Sequence, residues 1–413
     1  MADDAKQLYR ERLKRVQDTI ALREPDRVPL ILTVEAFPMY TYGLTIQEAM
    51  YHYEKIEAVF DKFYQDYKPD LAWDPISMYP AKVLEILDIK WFRWPGNGIE
   101  DPNQMYQFIE KEYMTSDEYD EFIFDPTHYI QTKWIPRSFG ALQGLRHLCT
   151  RESLWFGFFN TFHTFCLEEV KHSLAKLMEA ADEIDNWFKF LDHYDKKLEK
   201  MGFPIAYGGF GYAPFDWLGD TMRGTIPILE DMYNRPDKLL QAVDKFLPIA
   251  LENSIKGAEG SGRPFIWIWL HKGMDEFMSN EQYKKFYWPT LQKYILGLIE
   301  HGLTPVVYVE GKYNSRLEIL RDVPVGKVIY NFESTDMFEA KKILGDVACI
   351  AGNIPNYLLG YGTPQEVEEY CKRLIDGCAT GGGLIIDSAA LIDNAPPENM
   401  DALYNTVMNY GIY

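Results

Sequence analysis

Five short apolar runs decide the fold: PFIWIWL at 264–270, PVVYV at 305–309, KVIY at 327–330, VACIA at 347–351 and GLII at 383–386. Each stops at a polar or ionisable residue. These are His271, Glu310, Asn331 with Glu333, Asn353 and Asp387 in turn. Amphipathic helical stretches separate the runs. Such β/α alternation implies parallel strands whose C-terminal ends share one side. In a (β/α)8 barrel that side carries the chemistry.

The pattern extends upstream. Residues 3–22 read as a helix, an N-terminal helical extension. VPLILTV at 28–34 reads as a strand ending at Glu35. Residues 45–67 read as a helix opened by a Thr45–Glu48 capping box. A second strand spans 70–73 and ends at Asp74. Residues 88–135 break the alternation, being rich in Trp, Tyr, Pro and acidic groups, and read as an inserted hairpin or lid. Residues 164–201 read as a helix. PIAYGGFGYAPFDWLGDTMRG at 204–224 reads as a strand and a long loop on the active side. Ser279 with Gln282, and Thr363 with Pro364 and Glu366, open two later helices. Three glycines at 381–383 stop the second and lead into the last strand. The expected fold class is α/β, a (β/α)8 TIM barrel in a single domain over 1–413.

Composition narrows the function. A net charge of −20 and the lack of a basic stripe argue against nucleic acid as partner. No apolar segment approaches the ~18 residues that span a membrane, and residues 1–16 (MADDAKQLYRERLKRV) lack a signal peptide's apolar stretch. The cysteines, Cys149, Cys166, Cys349, Cys371 and Cys378, are odd in number and form no CxxC, which fits a reducing cytoplasm. GGFGYAPF lacks the Rossmann spacing and the P-loop lysine, so its glycines serve the backbone. No G-x-S-x-G elbow marks a serine hydrolase. His163 and His172 lie near Glu168 and Glu169 without metalloprotease spacing, and read as structural.

Glu310, directly after PVVYV, would sit partly desolvated in a barrel mouth, where its pKa rises toward acid/base use. The alternative is a salt bridge to Lys312 or Arg316. His271 ends a strongly apolar strand, with a hydrogen-bonded structural role as the alternative. Asp387 closes the last strand. His271, Glu310 and Asp387 together offer one nitrogen and two carboxylates, a set that could hold a catalytic metal such as zinc. Glu35, Asp74, Asn331, Glu333 and Asn353 are second-rank candidates for orienting substrate. Tyr207, Phe210, Tyr212 and Trp217 could wall an aromatic pocket.

Several stretches carry a resemblance to a family. They are APF at 213–215 with the Tyr233-Asn-Arg-Pro236 helix start, MSNEQYKKFYWPTLQKYI at 278–295, VEGKYNSRLEIL at 309–320 and AGNIPNYLLGYGTPQEV at 351–367. The last is the most specific. The chain resembles the uroporphyrinogen decarboxylase superfamily, which includes corrinoid-dependent methyltransferases of anaerobes. The resemblance implies a (β/α)8 barrel with its site at the C-terminal strand ends, and suggests a homodimer.

The departures bear on the reaction. Members that decarboxylate uroporphyrinogen carry an Arg-rich first segment, whereas VPLILTVEAFPMY at 28–40 has no Arg after Arg27. The thiol-activating zinc methyltransferases use a His-x-Cys where this chain has Val309 and Gly311. They add a Cys where it has Asp387. The resemblance therefore implies O-demethylation: methyl transfer from a small methoxylated substrate, an aryl ether, to a corrinoid (cobalamin) on a separate protein, since no D-x-H-x-x-G motif is visible. Glu310 would be the acid or metal ligand, with His271 and Asp387 as partners. The alternative is decarboxylation of a small acid by Asp74 and His271. A non-catalytic binding protein is a third reading.

Overall fold

The computed structural model describes residues 3–148 and 153–413. Cys149 lies outside the described residues, while Cys166, Cys349, Cys371 and Cys378 are free thiols. The apolar runs form a six-stranded parallel sheet. Its strands are β4 (Gly209–Tyr212), β5 (Phe265–Leu270), β6 (Thr304–Val309), β7 (Ile329–Phe332), β8 (Cys349–Gly352) and β9 (Leu384–Ile385), paired in sequence order. Helices cover the links, among them Pro236–Ser261, Trp288–Glu300, Met337–Leu344 and Pro364–Cys378. This is the arrangement that continuous apolar strands buried on both faces require.

The two upstream runs expected as strands form isolated parallel bridges instead. Leu30 bridges Ile386, Ile31 bridges Leu71, and Ala72 bridges Ile205 just ahead of β4. Arg27 forks onto Asp70 at 2.8 Å through both terminal nitrogens, and Arg15 reaches the same carboxylate at 2.5 Å. The last arginine before the first run is thus spent on joining the two upstream segments, and the helix Asp3–Ile20 is tied to them.

The span read as a helix at 45–67 is two helices, Ile46–Tyr51 and Ile56–Asp66, with a 3-10 turn at Tyr53–Lys55. Tyr53 there packs on Trp187 and Phe190, with centroids at 5.1 and 5.4 Å, so tertiary packing overrides the helical pattern. The inserted region contains a small sheet of β1 (Phe92–Pro95), β2 (Gly98–Ile99) and β3 (Gln107–Phe108) in the order β2-β1-β3, followed by short helices.

Side chains alternate faces along a strand, and the parallel register aligns Tyr212, Trp269, Tyr308 and Asn331 across β4 to β7. One layer down, Phe210, Trp267 and Val306 align. Trp73, Trp267 and Tyr308 are buried, and Trp73 meets Trp267 edge to face at 4.7 Å. Each such side chain contributes roughly 1.5–3 kcal/mol through burial. No helix among the described residues is long and apolar enough to cross a membrane.

Candidate active site

The register also builds the site. Leu270 pairs with Val309, and Val309 with Phe332. The next residue on each strand is His271, Glu310 and Glu333, so the three leave the sheet side by side. His271 Nε2 lies 3.7 Å from Glu310 Oε1. Glu310 therefore pairs with His271 and not with Arg316, which bonds to Asn280 and the Met278 carbonyl. The Glu333 carboxylate accepts the Gly311 N–H. Gly311 sits at φ 77°, where a Cβ would meet Met274 Sδ at 2.8 Å, so this turn requires glycine.

Two aspartates missed in the sequence organise the histidine. Asp220 Oδ2 lies 2.6 Å from His271 Nδ1, and its other oxygen accepts from Lys272 Nζ at 2.6 Å. Asp216 is buried and accepts the backbone N–H of His271 (2.8 Å) and Lys272 (3.0 Å) together with the Tyr287 hydroxyl (2.5 Å). Both sit in DWLGDTMRG, four residues apart. Asp216 lies in the helix Pro214–Leu218 and Asp220 in the following π turn. That i,i+4 spacing puts both carboxylates on one face and was the available signal.

The electrostatics follow from these contacts. Burial alone would lower the His271 pKa. The Asp220 hydrogen bond and the charges of Asp220, Glu310 and Asp216 outweigh it and raise the pKa to about 9. Burial pushes Asp220 up, but His271 and Lys272 hold it below the usual carboxylate value. Burial and the neighbouring Asp220 raise Asp216 to about 7. Glu310 is raised by burial and by Glu333 and Asp220, against the pull of His271. At neutral pH His271 is an imidazolium whose Nε2–H faces Glu310. The pair can donate a proton to an atom between them.

The aromatic floor is immediate. Tyr212 meets His271 edge to face at 5.4 Å, with Trp217 beyond it at 6.1 Å. Trp269 and Tyr308 meet at 4.5 Å. Burial raises the Tyr308 hydroxyl, and the charges of Asp387, Glu310, Glu333 and Glu35 raise it further. Phe210 lies deeper against Tyr207 and Trp73, at 4.5 and 6.0 Å.

Other candidates have different partners. Asp387 is fully buried and accepts from Thr33 N (3.1 Å), Thr33 Oγ1 (2.6 Å), Asn331 Nδ2 (2.9 Å) and Ser388 N (2.8 Å). Burial still raises it to about 6. Among the described residues no three His, Cys, Asp or Glu side chains group as metal ligands. The set His271, Glu310 and Asp387 does not assemble as a zinc site, because the Asp387 oxygens are taken by Thr33, Asn331 and Ser388. Asn331 Oδ1 is buried without a hydrogen-bond partner among the described residues.

Glu35 accepts from Tyr106 at 2.5 Å, and burial and Asp393 raise it to about 7. Asp74 accepts from Tyr207 (2.7 Å) and the Ile76 amide (3.1 Å), and is pushed up by burial and by Asp195. Its partners are not His271, so the acid/base pair of the decarboxylase reading is not formed. Asn353 donates to the carbonyls of Thr335 (2.9 Å) and Glu333 (3.2 Å) and accepts from Tyr370 (2.9 Å). It braces the loops after β7 and β8, beside a cavity of about 580 Å³ that Glu333 and Tyr357 also line.

The model of the family Uroporphyrinogen decarboxylase (URO-D) matches residues 167–410. That is more than half of the chain, and the chain belongs to this family. A solved methyltransferase from Methanosarcina mazei is similar at 16% identity, with 96% of this chain and 98% of that chain covered and a TM-score of 0.59, a likeness of fold. A B12-independent methionine synthase from Shewanella sp. W3-18-1, solved in complex with selenomethionine, overlaps 48% of this chain and 60% of that chain at 11% identity. Its TM-score of 0.33 carries no argument. No curated protein matches the sequence.

Proposed function

We propose that this protein is a methyltransferase that demethylates a small methoxylated aromatic ether and passes the methyl group to the cobalt of a corrinoid carried by a partner protein. The observation that carries the reading is His271, held by Asp220 and facing Glu310 over an aromatic floor. When the methyl–oxygen bond breaks, the bonding pair stays on the ether oxygen. An aryloxide leaves readily only if it is neutralised as it forms. A phenol has a pKa of roughly 10. His271, at about 9, is protonated at neutral pH and slightly more acidic than that leaving group. The proton moves from the His271–Glu310 pair to the oxygen, while Tyr212 and Trp269 hold the ring. Such a positioned acid contributes ~10²–10⁴-fold in rate.

The bridges at Leu30, Ile31 and Ala72 support closure of the sheet into an eight-stranded (β/α)8 barrel, one domain with 88–135 as a lid. Decarboxylation of a polycarboxylate would call for free cations at this mouth. Lys272 and His271 are instead both held by Asp220.

The test is formation of methylcobalamin, followed by its visible spectrum, from a reduced corrinoid carrier and a panel of methoxylated aromatics. Substrate-dependent methylation is expected. Its absence across ethers, amines and thiols overturns the reading.

A further inference from the structure

The cavity of about 580 Å³ beside the site is unbalanced in charge. Glu333 and Asp336 line it, and its walls hold no Lys, Arg or His. One Glu333 oxygen accepts the Gly311 N–H. Asp336 caps its helix through Oδ1, which accepts the N–H groups of Phe338 and Glu339. The second oxygen of each carboxylate meets no donor among the described residues. The side-chain amides of Asn353 and Asn356 are spent on wall carbonyls. Open acceptors therefore stand beside open rings, since Tyr357 is 71% exposed and Phe338 47%. Negative charge next to aromatic faces is the environment that holds an organic ammonium. No three His, Cys, Asp or Glu side chains group here among the described residues, so a metal ion lacks its ligands.

We infer that this cavity receives an ammonium arm of the substrate, which makes the methoxylated aromatic an arylalkylamine; the inference rests on the methyl-transfer reading of the site. Glu333 joins the two places, because it leaves the sheet beside Glu310 and also lines the cavity. The cavity walls come from the loops after β7 and β8, the next two strands beyond β6. Neighbouring strands lie about 4.8 Å apart, so the cavity opens roughly 5–10 Å to the side of Glu310. A ring against Tyr212 and Trp269, with its ether oxygen at His271 and Glu310, spans that distance with a short alkyl arm. A carboxylate on the same arm would meet Glu333 and Asp336. The cations of the mouth, His271 and Lys272, are both held by Asp220 and give it no partner.

Titration calorimetry of the full chain, with no corrinoid present, tests this with para-methoxyphenethylamine. Its matched ethers are neutral para-propylanisole and anionic para-methoxyphenylpropanoate. The amine is expected to bind at least about tenfold more tightly than either. In Glu333→Gln/Asp336→Asn, which keeps an acceptor for the Gly311 turn and for the helix cap, the amine should lose at least about tenfold and the neutral ether should be unchanged. Circular dichroism reports whether that variant folds, and if it does not, the preference of the wild type decides alone. An amine no tighter than its matches, no binding by any of the three, or a folded double variant that keeps the preference overturns the inference. Tight amine binding with no methyl transfer to the corrinoid overturns the methyl-transfer reading and leaves the ammonium site standing. Transfer from the neutral or anionic ether as readily as from the amine does the reverse.

Discussion

At the scale of single residues, the account rests on who holds His271. The histidine and Glu310 were legible because each directly follows an apolar run that could only be a buried strand. Asp216 and Asp220 were not, because they sit in an irregular helical loop where no strand end marks them. Asp387 shows the converse: it stands just past a strand end, yet its oxygens bind Thr33 and Asn331 from distant segments, a contact that sequence spacing does not reveal. Asp220→Asn removes the charge that raises His271. The high-pH limb of the methyl-transfer profile, near pH 9, should then move down by roughly 1–2 units. An unmoved limb would take the acid role away from His271. Stability carries the same sign. A histidine whose pKa is raised on folding adds stability that is full below about 6.5 and is lost as pH rises through about 9. Urea midpoints at pH 6 and pH 9.5 should differ in the wild type by more than in Asp220→Asn.

Among the elements, the capping boxes at Thr45, Ser279 and Thr363 form as their sequences imply. The strands at 28–34 and 70–73 shrink to a few isolated bridges. The insertion was recognisable by its break in period, but its attachment was not, because that depends on long-range pairs. Tyr106 donates to Glu35, Glu110 accepts from Thr225 N (2.6 Å) and Oγ1 (2.5 Å), and the Glu112 carboxylate pairs with Arg223. Tyr106→Phe frees one of these ties. Hydrogen exchange across 92–108 should quicken, with little change in the helix Pro236–Ser261. Equal protection in both proteins would show that this tie does not hold the segment down.

In the whole molecule, burial of large aromatics from β4, β5 and β6 and from Trp73 makes the interior, and the continuous apolar runs already implied such a core. Trp267 is fully buried, and its indole N–H donates to the Ala206 carbonyl at 2.9 Å. Trp267→Ala should cost about 3–5 kcal/mol, measured by urea unfolding, and a loss below about 1 kcal/mol would deny it a central packing role. What the runs could not convey is which strand-end groups meet, since that is fixed by register across the sheet. The most direct test of the central claim is single-turnover methyl transfer from a methoxylated aromatic to a reduced corrinoid carrier, with wild type and Glu310→Ala side by side. The account predicts methylation by the wild type and a rate at least about a hundredfold lower in a folded Glu310→Ala. Near-normal transfer by that variant would contradict it.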